Sequence, residues 1–351
     1  MRVVDLFAGV GGMSEGFKMA GNSIVFAVEF DKEIAYSYAQ NHFGTDVYSD
    51  DICTLNPAEL HEKYNDVDII VGGPPCQGFS QKGKRLSIDD PRNFLFRQFV
   101  RFVKEFMPKY FVIENVPNII TTSNGYFKDH ILNEFESLGY KLSYGVLCAK
   151  DFGVPQDRRR AVFIGHRGET VVPLPQPNNR HVSVKEAIYD LPFIESGTGE
   201  EESRYDKQAV SEYQKELRGN EKILYNHVAT SHSKIALERL AMIPKGAGKE
   251  VLPPEHRTKS IYSGTWCRLN EDDIASTITT RFDTPSSGRF THPILDRCLT
   301  VREAARIQSF PDSFRFYGPK TSQMKQVGNA VPPYLAKAIA ETIMDFDNEL
   351  K

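Results

Sequence analysis

No run in the sequence approaches the roughly 18 apolar residues that a membrane-spanning helix requires, so a helical membrane protein is not expected. Cysteine is scarce. The five cysteines, at 53, 76, 148, 267 and 298, are scattered, odd in number and form no C-x-x-C pair. That argues against a disulfide framework or a zinc site and for a reducing compartment, cytosolic or nuclear. The first residues run straight into "RVVDLFAG" without a basic n-region, an apolar h-region or a cleavage site, so no secretory signal is expected. No internal repeat is evident. Net charge is small too, at −3, and by itself says nothing for a polyanionic partner.

What is present is unevenly placed. Residues 1–75 hold 4 Lys and Arg against 12 Asp and Glu, a balance of −8, whereas residues 76–170 hold 15 against 10, a balance of +5. The basic excess begins at Cys76 and is carried largely by "QKGKRL" (81–86) and "QDRRR" (156–160). Such clusters are a solvated face or an anion-binding surface, and charge alone leaves both open.

At 351 residues the chain has room for a large core and more than one domain. Through residue 165 short apolar runs alternate with amphipathic segments. "MRVVDLFAG", "SIVFAVEF", "DVDIIVGG", "KYFVIENV", "YKLSYGVLCA" and "RRAVFIGHR" read as strands; residues 14–20, "KEIAYSYAQNHF", "FLFRQFVRFVKEF" and "YFKDHILNEFESLG" read as helices. This rhythm predicts an α/β domain with a doubly wound, mostly parallel sheet. From "VVPLPQPNNRHVS" onward the texture is proline-rich and irregular, "GTGEEESRYDKQ" is polar and acidic, and a clear helix returns only at "PYLAKAIAETIMDF". The expected division is a first domain over 1–172, a smaller irregular domain over 173–290, and a return segment over 291–351 whose last helix completes the first domain.

Ligands of open α/β sheets bind beyond the carboxyl ends of the strands. Four groups fall there: the turn "FAGVGG", Glu29, the segment "GGPPC" and Glu114–Asn115. Gly9 and Gly11 allow a ligand close to the backbone, and Glu29, about twenty residues on, suits a ribose diol. Ser14 stands where a dinucleotide fingerprint would have its third glycine, which disfavours a pyrophosphate cofactor. A nucleoside cofactor without diphosphate, of which S-adenosylmethionine is the common one, fits; a plain structural turn beside a surface Glu fits as well. Cys76 follows Pro74 and Pro75, which fix the backbone and donate no amide hydrogens, and it precedes a polar, basic stretch. A thiolate nucleophile is favoured there over a core cysteine.

Taken in order and spacing, "DLFAGVGGMSEGF", "GGPPCQGFS", "ENV", "QDRRR" and "QVGNAVPP" resemble the blocks of the cytosine-5 DNA methyltransferases, spanning Val3 to Pro333 with 173–290 unmatched. The resemblance implies a Rossmann-like methyltransferase fold and, for 173–290, a target recognition domain. It implies that Cys76 is the nucleophile, adding to carbon 6 of cytosine to make carbon 5 nucleophilic. Glu114 would donate a proton at ring nitrogen 3, with the apolar "YFVI" run beside it favouring the protonated form. Arg160 would contact the exocyclic oxygen, and Arg158 and Gln156 would position the loop carrying Cys76, with Gln156 also near DNA; Arg159 falls in a variable slot. The cofactor contacts implied are Phe7, Gly9, Gly11, Glu29, Phe30, Asp51, Ile52, Pro75 and Asn329, with Phe30 as an aromatic plate for adenine. S-adenosylmethionine would leave as S-adenosylhomocysteine, with no metal involved.

A base inside a duplex hides carbons 5 and 6, so such an enzyme must flip its target out. The segment "QGFSQKGKRLSIDDPR" resembles the family's catalytic loop, which places Ser80, Lys82, Lys84, Arg85 and Arg92 toward DNA; Arg92 matches a recurring position and Lys82 does not. Thr277, Thr279 and Arg281, in "ASTITTRFDTPSSGRFTHP", are candidates for base or phosphate contact. The expected partner is double-stranded DNA, methylated by a cytoplasmic monomer of bacterial or phage type, with a restriction endonuclease acting separately and no membrane association. The alternatives are a tRNA methyltransferase of the same fold and a non-catalytic DNA-binding relative. The first would carry a different cysteine block, and the second would lack Cys, Glu or the glycines.

Overall fold

A computed structural model describes residues 1–75, 94–258 and 264–351. The described chain forms two compact units: Met1–Phe152, Arg159–Asn178 and Val331–Lys351 in the first, Gly153–Arg158 and Asn179–Ala330 in the second. Residues 291–330 therefore lie with the second unit and residues 331–351 with the first.

The first unit is built from β1 (Arg2–Leu6), α1 (Gly12–Met19), β2 (Ser23–Val28), α2 (Lys32–Asn41), β3 (Asp46–Tyr48), α3 (Pro57–Lys63), β4 (Ile69–Gly72), α4 (Phe94–Phe106), β5 (Tyr110–Asn115), α5 (Asn118–Thr121), α6 (Tyr126–Glu136) and β6 (Lys141–Cys148). After the two-residue β7 (Gln156–Asp157), which belongs to the second unit, it is completed by β8 (Arg159–His166). Seven strands form one sheet in the order β3-β2-β1-β4-β5-β8-β6. Pairing is parallel from β3 through β5, and β8 runs antiparallel between β5 and β6. The fully buried central runs "VVDL", "IIVG" and "YFVI" are what a sheet covered on both faces demands. On one face of the sheet Val4, Leu6, Ile70, Phe111 and Ile113 share a core with Phe99, Phe102 and Val103 of α4 and Phe135 of α6. From β1 the chain moves outward to β2 and β3, then crosses back to β4 on the other side of β1. The carboxyl ends of β1 and β4 thus flank the switch point at which such sheets bind ligands.

The second unit contains more regular structure than its composition suggested. It holds α7 (Val184–Ile188), β9 (Gly199–Arg204), α8 (Glu212–Arg218), β10 (Ile223–Val228), α9 (Lys234–Ala241), β11 (Ala275–Ser276), α10 (Val301–Ile307) and α11 (Lys320–Asn329); α12 (Pro333–Glu349) then returns to the first unit and packs on α1. The acidic stretch read as irregular includes β9, which pairs antiparallel with β10. β9 is almost wholly exposed, so backbone pairing rather than apolar alternation makes it a strand. Among the described residues no helix is long and apolar enough to cross a membrane.

Candidate active site

The turn after β1 is held by backbone contacts. Phe7 takes a left-handed φ of 58°, the Ala8 amide donates to the Val28 carbonyl at 3.0 Å, and the Gly11 amide donates to the Ala8 carbonyl at 2.9 Å. Gly11 has φ 95°, and a Cβ there would stand 2.2 Å from His42 Nε2, so only glycine fits. Beyond β2, Glu29 binds this turn directly: Oε2 accepts the Gly9 amide at 2.8 Å and Oε1 accepts the Asp31 amide at 2.9 Å. Burial pushes the Glu29 carboxyl up, against the amide donations of Asp31 and Gly9. Next to it Phe30 is 71% exposed, a large aromatic face left open. At the end of β3, Asp51 accepts the Cys53 amide at 2.9 Å and Ile52 is buried, its carbonyl accepting Arg101 Nη2 at 2.7 Å. Phe7, Gly9, Gly11, Glu29, Phe30, Asp51 and Ile52 therefore stand at three adjacent strand ends, while Pro75 follows β4. Asn329 ends α11, in the second unit.

Three groups beneath the turn escaped sequence reasoning. Asp5, 1% exposed, accepts the Ser14 hydroxyl at 2.6 Å, and Ser14 Oγ is 2.6 Å from the Tyr38 hydroxyl. Burial pushes the Asp5 carboxyl up to about 7, opposed by the Ser14 hydroxyl and helped by the charge of Glu29. Burial and the Lys18 ammonium push His42 down to about 3. The legible signal was a single Asp inside the apolar strand "RVVDL".

The other half of the site lies at β4, β5 and β8. The Glu114 carboxylate accepts Arg160 Nε at 2.6 Å, both side chains being largely buried. This departs from the apolar surroundings expected for Glu114: Tyr110, Phe111, Val112 and Ile113 turn into the core, and a guanidinium is its partner. Glu114 also closes on the segment before Cys76. A Cβ at Gly73 would lie 3.0 Å from Glu114 Oε2, and Asn115 Nδ2 donates to the Pro74 carbonyl at 2.9 Å. Cys76 itself, with Ser80, Lys82, Lys84, Arg85 and Arg92, lies outside the described residues.

The block "QDRRR" is divided between the units after Arg158. Gln156, expected near DNA, is fully buried: its Nε2 donates to Gln308 Oε1 at 2.8 Å and its Oε1 accepts the Ile278 amide at 2.7 Å. Arg158, 1% exposed, donates to the Ile278 carbonyl at 3.0 Å and to the Gly328 carbonyl at 2.9 Å. Both side chains thus tie residues 156–158 to Ile278, to Gln308 and to α11 within the second unit. Thr277 is spent in the same way, donating to the Asp157 carbonyl at 2.6 Å. Thr279 and Arg281 are exposed.

The family model described as C-5 cytosine-specific DNA methylase matches residues 1–345. The chain belongs to this family. Its activity is methyl transfer to carbon 5 of cytosine in DNA, and the family implies S-adenosylmethionine as methyl donor. The methyltransferase is 41% identical to the type II methyltransferase M.DdeI of Desulfomicrobium norvegicum, over 98% of this chain and 88% of that one. It is 38% identical to M1.HphI of Haemophilus parahaemolyticus, over 97% and 86%. Among solved structures, a putative DNA modification methyltransferase encoded within an E. coli prophage superposes with a TM-score of 0.82 at 30% identity, covering 99% of each chain. The S. pombe Dnmt2 methyltransferase, at TM-score 0.64 and 18% identity, shows the fold alone. The tRNA-directed and non-catalytic alternatives gain no support from these relatives.

The observed site fits the donor. Glu29 is anchored through one edge of each oxygen, Phe30 offers an open ring, and a side-chain atom at Gly9 would meet nothing within 4 Å, leaving space over the turn. Among the described residues no group of three His, Cys, Asp or Glu converges as metal ligands would.

Proposed function

We propose that this methyltransferase modifies a cytosine flipped out of a specific double-stranded DNA sequence, through a covalent adduct between Cys76 and carbon 6. The observation that carries this reading is the junction of Glu114 and Arg160 with the Gly73–Pro74 segment, because it converges an acid, a cation and the stem of the cysteine block. In this mechanism the Cys76 thiolate adds to carbon 6, and Glu114 supplies a proton to ring nitrogen 3 as charge develops there. Arg160 holds the Glu114 carboxyl in place and stabilises charge on the exocyclic oxygen. Phe7, Gly9, Gly11, Glu29, Phe30, Asp51, Ile52 and Pro75 would hold S-adenosylmethionine, which would supply an electrophilic methyl group. After transfer, a water molecule acting as base takes the proton from carbon 5, the carbon 6–sulfur bond breaks to release Cys76 as a thiolate, and the proton on ring nitrogen 3 returns to Glu114, which restores the ring. The sequence needs no metal.

The type II names of the similar enzymes support a role in restriction–modification. On this proposal the enzyme acts as a cytoplasmic monomer, with a cognate endonuclease acting separately. Ser80, Lys82, Arg85 and Arg92 would meet DNA around the vacated base, and residues 173–290, with Thr279 and Arg281 near their end, would select the sequence. The test is to incubate the protein with methyl-labelled S-adenosylmethionine and unmethylated duplex DNA, then analyse nucleosides and sequence the modified sites. Label is expected only in 5-methyldeoxycytidine, at one short recurring sequence, and it should vanish in Cys76→Ala. Undiminished label in Cys76→Ala would overturn the covalent mechanism, and label spread over all cytosines would overturn the specificity.

A further inference from the structure

We infer that Asp5, Ser14 and Tyr38 form a buried positioning set that holds the glycine turn and thereby governs how tightly the adenosyl cofactor binds. The inference rests on the proposed placement of that cofactor at Gly9, Gly11 and Glu29. The three residues come from three elements, β1, the first turn of α1 and the middle of α2, and they meet through the Ser14 hydroxyl. Asp5 and Ser14 bracket the turn in sequence, so their 2.6 Å bond closes it like a clasp.

The clasp has a local reason. Gly11 is the N-cap of α1 and offers no side chain to the free amides of the first turn. Asp5 takes over, facing the Ser14 backbone N–H as well as its hydroxyl. Tyr38 extends the link to α2, the helix that starts directly after Glu29 and Asp31. One turn on from Tyr38, His42 packs against its ring at a tilt, with centroids 4.3 Å apart, and lies against Gly11. The elements that carry Gly9 and precede or follow Glu29 are therefore joined through one hydroxyl. Stability alone would be served about as well by apolar side chains at these solvent-excluded places, since replacing both partners of a buried hydrogen bond by apolar groups of the same shape is nearly neutral. A polar trio here makes sense if the geometry of the turn is what it secures.

The experiment titrates the full chain with S-adenosylhomocysteine in a calorimeter, comparing wild type with Tyr38→Phe, Ser14→Ala and Glu29→Gln, alongside melting temperatures and steady-state rates. Tyr38→Phe keeps the ring against His42 and so tests the hydroxyl by itself. Tyr38→Phe and Ser14→Ala should each weaken binding between about threefold and thirtyfold. KM for S-adenosylmethionine should rise by the same factor, with kcat at saturation changed by less than about twofold. A lowered melting temperature with unchanged affinity in both variants would mean that the trio is structural only, and would overturn the inference. Unchanged affinity in Glu29→Gln would instead overturn the cofactor placement beneath it.

Discussion

Arg160 Nε at 2.6 Å leaves the Glu114 carboxyl little freedom, so its direction toward a bound base is set before any base arrives. If Glu114 transfers a proton, Glu114→Gln should lower the single-turnover methylation rate by about 10²–10⁴. Arg160→Ala should cost about 10²–10³. Because the two side chains touch, the double variant should be far less impaired than the product of the single losses. Additive losses, read in a double-mutant cycle of single-turnover rates, would mean that the pair does not act as a unit. Asp5 gives a second prediction, in pH. Its carboxyl stands at about 7 instead of 3.8, so protonation stabilises the fold fully below about pH 4, and this contribution is lost as pH rises through about 7. The groups facing it are Ser14 from α1, Tyr38 from α2 and Glu29 beyond β2, with Glu15, Lys18 and His42 alongside. His42, held down near 3, acts in the opposite sense, but it is common to wild type and Asp5→Asn and cancels in their difference. That difference in unfolding free energy should swing toward the variant by up to about 4 kcal/mol between pH 4 and pH 8. Denaturant melts at the two pH values measure it, and a constant difference would show that Asp5 does not titrate with folding.

The turn between β1 and α1 shows what separates a glycine needed for its φ from one needed also for its size. Gly11 and Gly21 have similar φ, 95° and 85°, but a Cβ at Gly21 would meet nothing within 4 Å, whereas one at Gly11 would strike His42 and Tyr38. Gly21→Ala should therefore cost only the left-handed backbone term, about 1–2 kcal/mol. Gly11→Ala should cost about 2–5 kcal/mol and remove S-adenosylhomocysteine binding. Thermal melts with and without that ligand check both, and equal losses would show that the room around Gly11 is not limiting. This turn, β2 and the β5 end were legible because strand, glycine and carboxylate recur at strand ends in an apolar context. Other elements were not. β3 spans three residues and α3 seven, too short for periodicity to show; β9 is a run of glutamates whose strand character lies wholly in its pairing with β10. Gln156 and Arg158 were readable as a motif, but their burial was not, since nothing in "QDRRR" tells which side chains meet Ile278, Gln308 and Gly328.

Over the whole molecule the two units stabilise themselves by different means. The first is an apolar sheet core. The second buries charge: Arg297 grips Glu303 at 2.7 and 2.8 Å, and Arg306 binds Asp190 at 3.1 Å and Asp312 at 2.5 Å, all within "RCLTVREAARIQSFPD" and the end of α7. The sequence of this stretch gives no sign of that burial, because charge pattern does not reveal which residues lose their water. Such a core fixes its surroundings through directional bonds, which suits a scaffold whose surface must present fixed side chains to a ligand. On the proposed division of labour, chemistry and cofactor belong to the first unit and DNA selection to the second, and Arg281 separates the two. Its guanidinium is exposed, with Asp283 no nearer than 3.9 Å. Arg281→Ala should leave S-adenosylhomocysteine affinity unchanged and weaken DNA binding. If Arg281 meets a phosphate, the slope of log K against log salt should become shallower by about one, with the set of methylated sites unaltered. If it meets a base edge, the slope should hold while methylation spreads to sites differing at one position, at a cost of about 1–3 kcal/mol in discrimination. An Arg281→Ala protein with wild-type DNA affinity, slope and site choice would remove this part of the second unit from the DNA interface altogether.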